Sequence, residues 1–249
     1  MVLFYEHSRL STPPDDTVIW RYITFTKFCS MLNEQALFFC RLDKLHDKWE
    51  GVYPKAMLEY WAKVYQDIPA GDEGVARLKE ILIRKIIPSH FVNCWFMSEY
   101  ESDAMWRLYS RNYEGIAIKS TIGRLKRSLA KTRERIWIGP VDYIDYDQWQ
   151  PPKGEARKAF LWMEPFFWKR LSFQHENELR ALVGQANRES GEAENGLNIQ
   201  ADLNELTEAV YVFPDSKDWF LQLVKTIVRK YGYRGIAVKR SSLGERPWE

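Results

Sequence analysis

Residues 18–42 read VIWRYITFTKFCSMLNEQALFFCRL, and the hydrophobic period changes twice within them. Residues 18–24 are β-branched and aromatic, as a strand requires. From Thr26 onward Phe28, Met31 and Leu32 recur at helical spacing. Residues 36–42 return to an apolar run and close a strand–helix–strand unit. Alternation across the first strand sends Arg21 to the face opposite Trp20 and Tyr22, either to solvent or into a pocket.

The same alternation of periods continues along the chain. Amphipathic helices are expected over 55–66 and 74–87, the second with Val75, Leu78, Ile81, Leu82 and Ile86 on one stripe. A strand follows over 90–96, then a helix from Ser102 as N-cap through Tyr109, and a strand over 115–120. A helix is predicted over 122–132, a strand or bent hairpin arm over 136–146, and a helix over 156–168 with a break at Pro165. Strands over 178–183 and 197–203 flank a polar tip, 184–195, expected to be mobile. A strand over 209–213, a helix over 219–231 ended by Gly232, and a strand over 235–240 complete the pattern. With no repeat or linker, this predicts one α+β domain over 1–249, its core a mostly antiparallel sheet with inserted helices.

Composition bounds the function. The chain has 249 residues with 45% hydrophobic content, enough for a self-sufficient core without disulfides. Lys+Arg 36 against Asp+Glu 34 leaves a net charge of +2, so total charge announces neither a nucleic-acid binder nor a membrane-surface protein. Trp 11, Tyr 13 and Phe 13 are many rings, either core plates or core plus a stacking surface. Cys29, Cys40 and Cys94 lack metal-type spacing and read as reduced, so cytoplasm is the expected location. The amino terminus lacks a secretory pattern, and no apolar window is long enough for a membrane span. No metal is expected: His90 and Cys94, four apart on a strand, are separated by about 13 Å. P-loop and GxGxxG signatures are absent.

Four segments combine residue types that a core alone does not require. Trp20-Arg21-Tyr22 is one. The turn RLDKLHDKWEG, from Arg41 to Gly51, is the second: it carries Asp43, His46, Asp47 and Glu50 and reads as an acid-bearing turn or an Asx turn. In the third, Trp95 and the helical set Ser102, Met105, Trp106 and Tyr109 place an aromatic wall beside acidic residues. The fourth is KRLSFQHENELR, residues 169–180. There Glu176, Glu178 and Arg180 alternate as on a strand, so two carboxylates and a guanidinium share a face, with Lys169, Arg170 and His175 close in sequence. Paired carboxylates with separated pKa values supply a base and an acid; the alternative is a surface ion-pair ladder. Separately, Arg124, Arg127 and Lys131 follow one face of a predicted helix, either a phosphate patch or a solvated face.

Taken in order, WRYITFTKF, LFF, LDKLHDKWEG, NCWFMSEYESDAMW, GIAIKST, VDYIDY and KRLSFQHENELRA resemble the prokaryotic family called domain of unknown function 2971, over residues 18–241. Residues 1–17 are then an N-terminal extension. The family's NDPFE turn is replaced here by His46-Asp47-Lys48-Trp49-Glu50, which keeps Asp47 and Glu50. That layout is similar to a remote ADP-ribosyltransferase fold, with a basic or aromatic anchor on an early strand and a glutamate on a late one. The resemblance implies NAD as substrate, Arg21 and Tyr22 as the early anchor and Glu178 as the late glutamate. Glu178 would hold the ribose hydroxyl and stabilise an oxocarbenium-like state, and Glu176 would activate the acceptor. Arg21 or Arg180 would hold the pyrophosphate, and Trp95, Trp106 or Tyr109 would stack on nicotinamide.

Three functions remain open at this stage. One is an NAD-cleaving transferase or glycohydrolase, a toxin or defence effector with a protein or nucleic-acid acceptor. Another is a non-enzymatic nucleotide or nucleic-acid binding module using the basic helix and the aromatic wall. The last is a metal-independent nuclease using Lys169, His175 and Glu176.

Overall fold

The computed structural model describes residues 11–64, 68–69, 71–110, 113–153, 163–184 and 195–245. The opening unit forms as the periods dictate: β1 (Val18–Thr24), α1 (Phe25–Glu34) and β2 (Ala36–Arg41). Thr24 caps α1, its hydroxyl accepting from the backbone N–H of Lys27, and Gln35 ends the helix in the left-handed region at φ 49°. Next come α2 (Lys55–Val64) and α3 (Asp72–Ile81), then β3 (His90–Met97), α4 (Asp103–Tyr109), β4 (Gly115–Thr121) and α5 (Ile122–Ser128). Short strands β5 (Ile136–Pro140), β6 (Asp142–Ile144) and β7 (Trp168–Arg170) lead to β8 (Glu178–Gly184) and β9 (Gly196–Gln200). The described chain closes with α6 (Leu203–Leu206), β10 (Ala209–Val212), α7 (Asp218–Lys230) and β11 (Ala237–Arg240).

Nine strands form one sheet in which every pairing is antiparallel except β10 with β11; β6 and β7 pair separately, in parallel. The α+β architecture with a mostly antiparallel core is therefore as the sequence predicts. β3 is the seam. Along one edge it pairs with β8 from His90 to Phe96. Its other edge is divided: β2 takes Phe91 and Val92, while β1 takes Phe96 and Met97. Asn93, Cys94 and Trp95 have no strand partner on that edge, so β1 and β2 splay apart and leave a gap.

The two faces are filled differently. One face presents Ile19, Phe39, Trp95, Ile118, Leu179 and Val210 to α1, α5, α6 and α7. The opposite face carries two smaller clusters, Trp20 and Tyr22 with Trp106 and Phe213, and Val92 and Leu182 with α2, α3 and Phe166. Each fully buried Leu, Ile or Phe adds roughly 1.5–3 kcal/mol of transfer free energy, so the three clusters hold the sheet between its helices.

Several boundaries differ from expectation for identifiable reasons. The helix expected over 122–132 stops at Ser128, whose hydroxyl turns back to the carbonyl of Leu125 and whose own carbonyl accepts from Asp202 N–H. Helix 74–87 becomes α3 plus a π turn, Leu82–Ile86, ahead of Pro88, and buried His90 bonds through Nδ1 to the carbonyl of Ile86 at 2.6 Å. The arm over 136–146 breaks after Pro140, where Val141 N–H turns to the carbonyl of Glu178. Leu203 starts a helix instead of ending a strand. Residues 1–10, most of the helix expected over 156–168, and the polar tip lie outside the described residues; Glu164–Phe167 within that region is a 3-10 turn. No described helix is long and apolar enough to cross a membrane.

Candidate functional site

The first residue of β8 brings the acidic segment to the seam. Glu178 and Arg180 point to one face of β8, as the alternation requires, with Arg180 directly across the ladder from Cys94 and Glu178 across from Phe96. Arg180 is fully buried and Glu178 nearly so. Arg180 Nε donates to Glu178 Oε1 at 2.6 Å, Nη2 donates to Glu50 Oε2 at 2.6 Å, and Nη1 donates to the carbonyl of Phe166 at 2.7 Å. Lys169, from β7, enters the same cluster. Its Nζ donates to Glu176, to Glu178 Oε2 at 3.1 Å, and stands 3.2 Å from Glu50 Oε1.

Glu176 arrives by another route than the one expected. It is not a strand residue two places before Glu178. It ends a 3-10 turn, Leu171–Glu176, and Asn177 in the left-handed region at φ 33° resets the chain before the strand begins. The side-chain amide of Asn177 locks this reversal by donating to the carbonyl of Met97 at 2.6 Å. Glu176 reaches its neighbours because Lys169 draws it in, and its side chain stays 12% exposed against 5% for Glu178.

Three carboxylates, Glu50, Glu176 and Glu178, therefore surround two cations, Lys169 and Arg180, leaving one negative charge in excess. Burial alone would push the Glu178 carboxyl up, but the charges of Arg180 and Lys169, with bonds from Arg180 and Cys94, bring it down to about 2. Desolvation works against the Lys169 cation, yet Glu178 and Glu50 outweigh it and hold the ammonium protonated. Of the acid-base roles in the nuclease scheme, a protonated Lys169 fits the acid and not the base. Burial, with Glu178 adjacent, pushes the Cys94 thiol well above its ordinary range. Desolvation likewise raises the Tyr109 hydroxyl, which lies within the field of Glu176, Cys94, Lys169 and Glu178 and remains 42% exposed.

Arg21 occupies the gap in the sheet. From β1 its guanidinium donates to the carbonyl of Phe38 on β2 at 3.4 Å and stands 5.8 Å from the ring of Trp95 on β3. Asn93 uses the same carbonyl at 2.9 Å. The other terminal nitrogen, Nη1, is buried with no partner among the described residues. Burial lowers the Arg21 pKa to about 10, and Cys94, Cys40 and Tyr109 are the groups that act on it electrostatically. Tyr109 thus feels both Arg21 and the carboxylates.

The remaining predicted residues do not join this cluster. Trp95 is buried on the opposite face from Glu178, its indole N–H donating to Asn93 at 2.7 Å. Trp106 is fully buried against Tyr22 and Phe213 and donates to Glu101. Tyr22 packs edge-on against Trp106, and its hydroxyl accepts from Ser102 N–H at 2.9 Å. These three rings are core, so neither indole offers a stacking face. Arg180, spent on three partners, has no free face for a pyrophosphate. His175 is exposed on the 3-10 turn, and Arg170 pairs with Asp47 at 2.7 Å on the outer side of β7.

The basic helix is also occupied. Arg124 donates to the carbonyls of Leu206, Asn204 and Thr207, capping α6, and Arg127 pairs with Glu205 at 2.7 Å. Lys131 lies exposed beyond the end of α5. Glu50 is the cluster member least visible in the sequence; its signal was an acid in a turn that also held Asp43 and Asp47. Among the described residues no group of three or more His, Cys, Asp or Glu could hold a metal ion.

No family model matches the chain, and no curated protein matches it. The resemblance to domain of unknown function 2971 therefore rests on the quoted segments alone. Among solved structures, DarT of Thermus sp. 2.9, in complex with ADP-ribosylated single-stranded DNA, is similar at 10% identity and a TM-score of 0.39. The likeness covers 94% of this chain and 99% of that one. A similarity this remote carries no argument about the site.

Proposed function

We propose that this chain cleaves the nicotinamide–ribose bond of NAD, as an ADP-ribosyltransferase or NAD glycohydrolase, at the divided edge of β3. The observation that carries the reading is a polarity. A buried Arg21 nitrogen without a partner among the described residues stands at the gap, and a carboxylate cluster with one excess negative charge stands beyond Cys94. NAD has the complementary polarity, an anionic pyrophosphate and a cationic pyridinium.

In this scheme Arg21 takes a pyrophosphate oxygen. Glu178, ionised and fixed by Arg180 and Lys169, stabilises the oxocarbenium-like state through its field as nicotinamide departs with the bonding electron pair. Glu176, the more open carboxylate, accepts the proton of the attacking acceptor oxygen as that oxygen bonds to the ribose carbon. Tyr109, half-exposed at the mouth, provides the ring against which nicotinamide packs.

The test is nicotinamide release from NAD by the purified chain, followed by chromatography with water, protein or nucleic acid as acceptor. Release that falls at least 100-fold in Glu176→Gln at unchanged melting temperature supports the reading. Wild-type protein that neither binds NAD nor releases nicotinamide overturns it.

A further inference from the structure

Next to the carboxylate cluster, β7 carries a second arrangement of rings and charge. The Arg170 guanidinium lies 5.3 Å from the centroid of Phe173 and 5.8 Å from that of Trp49, and Lys169 Nζ of the cluster lies 5.0 Å from the same Phe173 ring. Asp47, buried, holds it in a bidentate pair, Nη2 to Oδ1 at 2.7 Å and Nε to Oδ2 at 3.1 Å. Asp47 Oδ1 also accepts from the backbone N–H of Trp49 at 3.2 Å, so one carboxylate fixes both the ring's backbone and the cation beside it. Tyr146 packs edge-on against Trp49 at 5.1 Å.

This clamp leaves recognition groups unused. Trp49 is 41% exposed, and neither its indole N–H nor Arg170 Nη1 has a partner among the described residues. Lys44 and Lys48, on the same turn, are exposed and likewise unpaired there. The surface thus combines an exposed ring, a guanidinium fixed over it by a buried carboxylate, and donors at its edge. An exposed Trp beside cationic donors can stack bases of any sequence.

We propose that Trp49 and Arg170 form a stacking site for a nucleobase, with Arg170 Nη1, the Trp49 indole N–H and Lys48 receiving the base edge and phosphate. The ligand is a nucleotide unit, free or within a single strand. Because Arg170 is neutralised by Asp47, stacking carries more of the affinity than phosphate charge does, and Lys48 supplies the salt-dependent part. The site borders the carboxylate cluster through Phe173, but it uses no contact of the NAD scheme and stands whether or not that reading holds.

The experiment is fluorescence anisotropy of a labelled 12-nucleotide mixed-sequence single-stranded DNA with the full chain, with unlabelled strand or AMP as competitor. Trp49→Ala is expected to weaken binding about ten-fold, the loss of one base stack, while Trp49→Phe stays within about three-fold. Arg170→Lys keeps a charge beside Asp47 but loses the guanidinium, and is expected to weaken binding at unchanged melting temperature. Displacement by AMP as effective as by strand assigns the site to free nucleotides; displacement by strand alone assigns it to a polynucleotide. Absence of binding by both at low salt, or wild-type affinity in Trp49→Ala, overturns the proposal.

Discussion

Arg180 Nε and Glu178 Oε1 lie 2.6 Å apart on one face of β8, with the guanidinium fully buried and Glu50 on its other side. The pair is scaffold for the cluster, and its removal should be felt as stability. Replacing Arg180 by Leu leaves buried Glu50 and Glu178 sharing Lys169 with Glu176, and breaking a buried pair in this way costs about 3–5 kcal/mol. Urea unfolding of Arg180→Leu against wild type measures this; a loss below about 1 kcal/mol contradicts the buried network.

The same network sets an acid limit. The folded-state pKa of Glu178 is depressed to about 2, below an unfolded value of about 4.3. Its contribution is therefore fully present above the unfolded value and fades as pH falls from about 5 toward 2. Thermal melting across that window should show a steeper decline in wild type than in Glu178→Gln. Parallel curves would mean the carboxylate is not held ionised.

Arg21 separates binding from stability. Its buried Nη1 lacks a partner among the described residues, and an unmet buried donor costs about 1–3 kcal/mol. Arg21→Met should therefore fold at least as stably as wild type while NAD affinity drops ten-fold or more, read by calorimetry. A destabilised Arg21→Met with intact NAD affinity would assign Arg21 to the fold alone.

Arg124 and Lys131 should behave differently despite their shared sequence pattern. Arg124 satisfies three carbonyls at the end of α6, so Arg124→Ala should cost about 1–3 kcal/mol. Lys131→Ala, at an exposed turn, should change unfolding by less than about 0.5 kcal/mol. Chemical denaturation of both distinguishes them.

These residues show what the sequence made legible. Period switching in residues 18–42 was enough to predict strand, helix and strand, because each element buries one stripe or face. Alternation placed Glu178 and Arg180 together correctly, since strand period is fixed by backbone geometry. It misplaced Glu176, because Asn177 takes a left-handed conformation that polar alternation does not reveal. Trp95 and Trp106 fit a wall or, as such stripes more often do, a core, and the structure buries both as core. Glu50 reaches Arg180 across 130 positions, a contact that only tertiary structure reveals. The basic helix looked free because its partners, Glu205 and the carbonyls of α6, come about eighty residues later.

The divided edge of β3 has a mechanical consequence. β1 and β2 hang from opposite ends of one strand and do not pair with each other, so the twist of β3 sets the width between them. Arg21, anchored on β1 and bonded to Phe38 on β2, spans that width as a strut. Asn93, reaching the same carbonyl from β3, ties that strut to the seam, so Arg21 and Asn93 together bridge the opening between the two strands.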